Sequence, residues 1–114
     1  MTNPELNPIA QLNDTFRRHR ICPVPGNHMM TPAVQELTDH ERCSLLYAVA
    51  TFDAFNEDND PHGEHDFGSL DFFGTKWFWK IDYYADASCE SGSENPASYT
   101  QCFRVLTIMQ ASEY

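Results

Sequence analysis

The segment from residue 67 to residue 84 constrains the fold most. Two strand-like stretches, 67–73 and 76–84, are separated only by Gly74 and Thr75. A two-residue connection with glycine first favours a type II′ hairpin turn. In the second stretch, residues alternate between the two faces with the period of a strand. One face, predicted to be core, carries Trp77, Trp79, Ile81 and Tyr83. An antiparallel hairpin with such a face needs an apolar cover.

Helices upstream of the hairpin are predicted to supply that cover. Thr38 and Glu41 have the spacing of a capping box, in which each side chain bonds the backbone amide of the other residue. A helix is therefore expected over 38–56, with an apolar stripe that continues at helical spacing. The stripe consists of Leu45, Val49, Phe52 and Phe55.

The remaining segments complete the predicted architecture. Residues 1–7 resemble a flexible tail, and an apolar stripe at Ile9, Leu12 and Phe16 predicts a helix over 8–18. Residues 21–30 are expected to be irregular because Pro23, Pro25 and Gly26 interrupt them. A short helix is predicted over 32–37, and a third strand over 99–109 with two largely apolar faces, which favours a central or covered position.

The expected fold class is α+β, with N-terminal helices packed on a C-terminal three-stranded antiparallel sheet, a meander. The chain has 114 residues, enough for one domain with one core, and we assign that domain to residues 8–114. The N-terminus lacks the pattern of a signal peptide, and no apolar run approaches the length of a membrane span. We therefore expect a cytoplasmic protein that does not bind membranes.

The cysteines agree with a reducing compartment. Cys22, Cys43, Cys89 and Cys102 are scattered, without a C-x-x-C pair. Zinc sites usually take paired ligands at short spacing, so the pattern favours four free thiols that are mostly small buried side chains.

The net charge of the chain limits the kinds of molecule that it can bind. The chain carries 17 acids against 7 Lys and Arg, a net charge of −10. The segment 51–114 holds twelve of the acids against three bases, so the second half is the acidic half. Such a surface repels phosphate, which disfavours direct binding of nucleic acid. It favours a basic protein surface, although acidity also serves solubility alone.

Residues 56–66 form the candidate functional segment. This polar loop, NEDNDPHGEHD, contains five carboxylates and two imidazoles. One interpretation is a charged recognition surface in which carboxylates imitate a phosphate track. The candidate partner contacts are Glu57, Asp58, Asp60, Glu64, Asp66 and Asp82, with Tyr83 or Tyr84 as aromatic anchors. The alternative to this interpretation is a solvated acidic surface without a partner.

Two chemical alternatives use the same loop. His62 and His65, with Asp58 and Asp60, offer mixed nitrogen and oxygen ligands for a divalent transition metal, whereas Asp and Asn in such loops also cap turns. A histidine beside a carboxylate is also typical of acid–base catalysis, but no serine or cysteine nucleophile with a local signature accompanies it. Apart from the metal alternative, no cofactor is expected.

The chain resembles a known family in three places. These are residues 53–68 (DAFNEDNDPHGEHDFG), residues 78–84 (FWKIDYY) and residues 104–109 (RVLTIM), followed by SEY at the end. They resemble the bacterial domain of unknown function 3768 family, over about residues 12–114. This family has no assigned reaction, so the resemblance implies no catalytic roles.

The resemblance does imply a genetic setting. Relatives look like accessory genes of plasmids and other mobile elements, where small acidic proteins often inhibit host defence nucleases. The expected function is therefore a non-enzymatic anti-defence inhibitor, of anti-CRISPR or antirestriction type. It would bind a basic nucleic-acid-binding surface of a host nuclease complex, as a nucleic-acid mimic. The alternatives are a metal-binding module or metal-dependent enzyme centred on His62 and His65, and a structural or toxin–antitoxin-type partner.

Overall fold

The computed structural model describes residues 7–19 and 23–114 as helices on a mixed sheet. The predicted tail lies outside these residues, apart from Asn7. The helices are α1 (Pro8–Arg18), α2 (Pro32–Gln35) and α3 (Asp39–Ala50), and a 3₁₀ turn (Ala111–Glu113) follows the last strand. The strands are β1 (Gly26–Met30), β2 (Phe67–Phe72), β3 (Thr75–Tyr84) and β4 (Phe103–Gln110).

Local signals start both long helices. The Asn7 side chain accepts a hydrogen bond from the Ile9 amide at the start of α1, and Pro8 occupies the first helical position. The capping box of Thr38 and Glu41 is present at the start of α3. The helix predicted over 38–56 is thus confirmed at its beginning.

The end of α3 differs from the prediction. The helix ends at Ala50, and Arg17 of α1 donates hydrogen bonds to its last carbonyls, those of Val49 and Ala50, at 2.6 and 3.0 Å. The chain then leaves the helix, yet Phe52 still packs its ring edge-on to Trp79, with centroids 5.5 Å apart. The apolar stripe therefore reaches the core, although its last part is not helical.

The sheet has four strands in the order β1-β4-β3-β2, so the three-stranded meander is wrong. Residues predicted to be irregular form β1, which pairs in parallel with β4, while the other two pairings are antiparallel. Backbones approach closely at this pairing. A Cβ on Gly26 would lie 2.2 Å from the Arg104 carbonyl oxygen and 2.6 Å from the Phe16 ring. Gly26, which was predicted to interrupt regular structure, therefore allows β1 to pair closely with β4.

The hairpin turn lies one residue earlier than predicted. Phe72 pairs with Thr75, so the two-residue loop is Phe73-Gly74 rather than Gly74-Thr75. Both residues have positive φ, 55° and 71°, which is the conformation of a type I′ turn and not type II′. Strand β4 also starts later than predicted, at Phe103. Residues 99–102 stay in the preceding loop, where the Ser93 hydroxyl donates to the Gln101 carbonyl.

The core lies between the helices and one face of the sheet. The predicted core face is confirmed for Trp77, Trp79 and Ile81, all buried, and β4 occupies the central position expected of it. The other buried apolar members of the core cluster are Phe16, Val24, Val34, Leu45, Val49, Phe52, Leu106 and Ile108. Among the described residues, no helix is long and apolar enough to cross a bilayer.

The cysteines are only partly as expected. Cys102 is buried, but Cys43 and Cys89 are exposed free thiols, and Cys22 lies outside the described residues. The expectation of mostly buried cysteines is therefore wrong for two of the three that are described.

Candidate functional site

The first acidic loop, residues 51–66, connects α3 to β2, and asparagine side chains fix its tip. The Asn56 side-chain oxygen accepts from the amides of Asp58 and Asn59, and the Asn59 side-chain oxygen accepts from the Asn56 amide, all within 3.0 Å. Such turns satisfy the backbone locally. The side chains of Glu57 and Asp58 are not part of these hydrogen bonds, and both are exposed.

Asp60 faces inward and organises the loop. Only 6 % of its side chain is exposed, and it accepts hydrogen bonds from the amides of Glu64 and His65 at 3.1 and 3.2 Å. Gly63 and His65 both adopt positive φ to close this turn. The carboxylate that was expected to contact a partner therefore has a structural partner in its own loop.

His65 attaches the loop to helix α1. Its ring stacks on Phe55 at 3.9 Å, and its Nδ1 donates to the Asp14 carboxylate at 2.9 Å. On its other side, Nε2 lies 3.7 Å from Asp60 Oδ2. His65 thus bridges a helix carboxylate and a loop carboxylate, whereas His62, three residues earlier, is exposed.

Asp14 also holds Arg17, which is almost fully buried. The guanidinium donates to Asp14 at 2.9 Å and lies over the Trp79 ring, 4.8 Å from its centroid. Burial lowers the pKa of Arg17, and the bond with Asp14 opposes that shift. Arg17 therefore links α1, the end of α3 and β3 from inside the molecule.

A second buried network centres on Asn13. Its amide nitrogen donates to the Glu64 carbonyl at 2.9 Å and to the Tyr83 hydroxyl at 2.8 Å, while its oxygen accepts from Arg104 Nε at 2.7 Å. The Tyr83 hydroxyl in turn donates to Glu64 Oε1 at 2.8 Å. Desolvation raises the pKa of Tyr83, so its hydroxyl stays protonated as a donor. Glu64 and Tyr83 are therefore engaged internally.

The second acidic loop, residues 85–102, meets the same network. The Ser93 amide donates to the Tyr83 carbonyl at 3.2 Å, and Arg104 Nη2 donates to the Pro96 carbonyl. The first loop therefore bonds Asn13 and Tyr83 through Glu64, and the second loop bonds Tyr83 and Arg104. Their exposed carboxylates, called the acidic end here, are Asp53, Glu57, Asp58, Asp86, Glu90 and Glu94. Within residues 7–19 and 23–114, no cation lies within 4.0 Å of any of the six.

The other predicted contacts are placed differently. Asp82 forms an ion pair with Lys80 at 2.7 Å, and strand alternation puts Asp82 and Tyr84 on the opposite face of the sheet from Tyr83. Asp66 is half-buried, and desolvation together with Glu64 raises its pKa. Of the candidate carboxylates, Glu57 and Asp58 are thus exposed and unpaired with any described cation.

The metal alternative lacks a converging ligand set. Among the described residues, no three His, Cys, Asp or Glu side chains are arranged to hold an ion. His62 is exposed, Asp58 is at the loop tip, and Asp60 and His65 are engaged with the loop and with Asp14. The four residues proposed as ligands therefore have separate roles.

Comparison with known proteins identifies the family of this chain. Residues 30–113, well over half of the chain, match the family described as a protein of unknown function, DUF3768. The chain belongs to this family. The matched part of this DUF3768 protein contains both acidic loops and strands β2, β3 and β4, but only Met30 of β1. No curated protein and no solved structure matches the chain.

The buried partners of the acidic loops were missed by sequence reasoning. Asn13 and Arg17 lie four residues apart, and Asn13 is also four residues after Ile9 of the apolar stripe. Residues at this spacing share a helix face, so the spacing was a usable signal for burial. Arg104 carried no comparable signal, because its partner Asn13 lies 91 residues away in the chain.

Proposed function

We propose that this DUF3768 protein is a small non-enzymatic anti-defence inhibitor, encoded on a mobile element and acting in the cytoplasm. Its acidic end would occupy a basic nucleic-acid-binding surface of a host nuclease complex, of the kind used in CRISPR or restriction systems. The observation that carries the proposal is the acidic end itself, where six exposed carboxylates on two adjoining loops have no described cation within 4.0 Å.

The two buried arginines are engaged inside the molecule. Arg17 and Arg104 are 2 % and 0 % exposed and donate to partners in the interior, so neither forms an ion pair with the acidic end. Lys76 and Lys80 each pair with a carboxylate of the hairpin, Asp71 and Asp82. The described cations therefore form no ion pair with the acidic end, and its exposed carboxylates can steer the protein toward a positive partner.

Pre-organisation of the first loop also supports the proposal. Asp60, Glu64 and His65 fix the loop to itself and to α1, so Glu57 and Asp58 sit on a backbone that is already ordered. A rigid loop loses less conformational entropy on binding. In this scheme Glu57 and Asp58 contact the partner. Asp60, Glu64 and Tyr83 position the loop. No observation in the described residues favours the metal-dependent alternative.

The proposal is tested by charge reversal at the acidic end. The double variant Glu57→Lys, Asp58→Lys changes the charge by four units without touching a described hydrogen bond of either side chain. Its control is Glu36→Lys, Asp71→Lys, which makes the same change of charge at two exposed sites away from both acidic loops. The control also removes the exposed ion pair of Asp71 with Lys76, and exposed pairs of this kind contribute little to stability. Helix α3, about 18 Å long, separates Glu36 from the start of the first acidic loop.

The assay is protection of an invading plasmid or phage in bacteria that carry defined CRISPR or restriction systems. We expect the unmodified protein to protect in at least one system, the control to protect equally, and the acidic-end variant to lose protection by tenfold or more. The same ordering should hold for competition with DNA on the purified nuclease complex. Equal protection by the acidic-end variant and the unmodified protein would refute the proposed surface, and protection in no system would refute the function.

A further inference from the structure

A partly open cavity of about 210 Å³ lies between the end of α1, the second half of α3, β1 and β4. Its apolar wall is formed by Leu46 and Val49 of α3 and by Leu106 and Ile108 of β4. An apolar cavity of about 150 Å³ in another protein holds benzene, so this volume suffices for a small organic molecule.

The polar groups at this cavity are cationic or neutral. Arg17, Arg18 and His28 line it, and no carboxylate does so among the described residues. This is unusual in a chain with 17 acids and 7 Lys and Arg. The placement of two arginines beside an apolar wall therefore points to a ligand that has both a negative group and an apolar body.

The two arginines differ in what they can offer. Arg17 is 2 % exposed, and its terminal nitrogens donate to Asp14 and to the last carbonyls of α3. Its buried Nε lacks a hydrogen-bond partner among the described residues. Arg18 is exposed, and its guanidinium makes neither an ion pair nor a hydrogen bond in the described ranges. Arg18 is thus the cation available to a bound anion.

We propose that this cavity binds a small monocarboxylate with a compact apolar body, such as an aromatic or branched-chain acid. The carboxylate would bind Arg18 at the mouth, and the apolar body would contact Leu46, Val49, Leu106 and Ile108. Ligand sites of this kind are largely apolar, with a few polar groups that fix orientation. Inorganic phosphate suits the site poorly because it would leave the apolar wall uncovered. This site is independent of the proposed inhibitor function.

The test uses benzoate as the probe, titrated into the full-length protein at low ionic strength and followed by amide and methyl NMR shifts. Benzyl alcohol is the matched neutral probe, and phosphate is the matched anion without an apolar body. We expect saturable shifts for benzoate, centred on the methyl groups of Leu46, Val49, Leu106 and Ile108. Binding of benzyl alcohol or phosphate should be at least tenfold weaker.

Two variants and a control locate the contact. Arg18→Gln removes the exposed cation and should weaken benzoate binding about tenfold, because charge-assisted bonds are the stronger ones. Leu46→Phe reduces the cavity and should weaken benzoate and benzyl alcohol together. Lys76→Gln, which removes a cation from the distant hairpin, should leave binding unchanged.

Three outcomes would overturn the proposal. These are equal binding of benzoate and benzyl alcohol, unchanged benzoate binding in Arg18→Gln, and absence of saturable shifts at the wall. In the last case the cavity does not admit a ligand from solvent. A melting temperature for Arg18→Gln within two degrees of the unmodified protein would exclude misfolding as the cause of lost binding. None of these outcomes bears on the assay of the acidic end, so the two proposals fail separately.

Discussion

Two neighbouring tyrosines show how differently adjacent residues act in this protein. Tyr83 points to the core side of β3, where its hydroxyl accepts from Asn13 and donates to Glu64. Tyr84 lies on the other face of the strand, and its hydroxyl has no bond in the described residues. Both residues are tyrosines at adjacent positions, and they differ in the face of the strand on which they lie.

We therefore expect Tyr83→Phe to lower the free energy of unfolding by about 1–3 kcal/mol, because it leaves the buried Asn13 amide short of an acceptor. Tyr84→Phe is the matched control and should change it by less than about 0.5 kcal/mol. Urea unfolding followed by tryptophan fluorescence measures both. Equal effects of the two variants would mean that the network around Asn13 is not formed.

Asp66 gives a prediction that depends on pH. Desolvation and the nearby Glu64 raise its pKa in the folded state, so folding favours the protonated form. The stability it contributes is complete below its unfolded pKa, about 3.9, and is lost as the pH rises through the raised folded value. Asp66→Asn should therefore raise the melting temperature at pH 7 and leave it unchanged near pH 3.

Solvent screening limits the size of this effect, since Asp66 is only half-buried. The check is a series of thermal melts from pH 3 to pH 7 on both proteins. Glu36→Gln, at an exposed position outside both acidic loops, is the control, and its effect should vary less with pH than that of Asp66→Asn. A gain for Asp66→Asn that is the same at every pH would contradict the electrostatic explanation.

At the scale of elements, the β2–β3 hairpin contains a residue that its turn does not favour. Phe73 has φ of 55°, a conformation that is costly for a bulky side chain, and 47 % of it is exposed. Type I′ turns prefer Asn followed by Gly. The strands impose this turn because their inward faces, led by Trp77 and Trp79, must lie on the core.

Replacing Phe73 by Asn should therefore stabilise the protein by about 0.5–1.5 kcal/mol. Phe72→Asn is the control, since Phe72 packs against the core and its loss should destabilise the fold. Chemical denaturation of both variants measures the difference. A loss of stability for Phe73→Asn would mean that the contact of its ring with Phe72 outweighs the backbone strain.

The elements themselves were predictable where the signal was local. Helix α1 follows the predicted bounds, α3 starts at its capping box, and the two hairpin strands are confirmed. Strand β1 was missed because a five-residue edge strand carries no alternation of its own, and its parallel partner lies about 80 residues away. The early end of α3 was missed because the apolar stripe continues to Phe52 and Phe55 beyond the last helical residue, and the residue that binds the last carbonyls, Arg17, belongs to another helix.

At the scale of the whole molecule, net charge opposes the compact state. The chain carries −10 at pH 7, and the six carboxylates of the acidic end add their mutual repulsion where the two loops adjoin. Salt screens such repulsion, with a Debye length of about 30 Å at 0.01 M and about 10 Å at 0.1 M. The negative charge that would attract a basic partner therefore lowers the stability of the fold when that partner is absent.

The melting temperature should accordingly rise by several degrees between about 0.01 and 0.2 M sodium chloride. The rise should be smaller in the Glu57→Lys, Asp58→Lys variant than in the Glu36→Lys, Asp71→Lys control, although both have the same net charge. Differential scanning calorimetry provides the measurement. An identical rise in both variants would show that total charge, and not its concentration at the acidic end, decides the repulsion.

The sequence by itself determined the helices with local caps, the hairpin, the inward face of β3 and the acidity of the second half, because each depends on neighbours a few residues apart. Only the tertiary structure decided which charges face solvent. Asp60, Glu64, Arg17 and Arg104 are drawn inward by partners from distant parts of the chain, while Glu57 and Asp58 are left outside. Burial of a polar group requires a hydrogen-bond partner, and that partner is supplied by the fold and not by the local sequence.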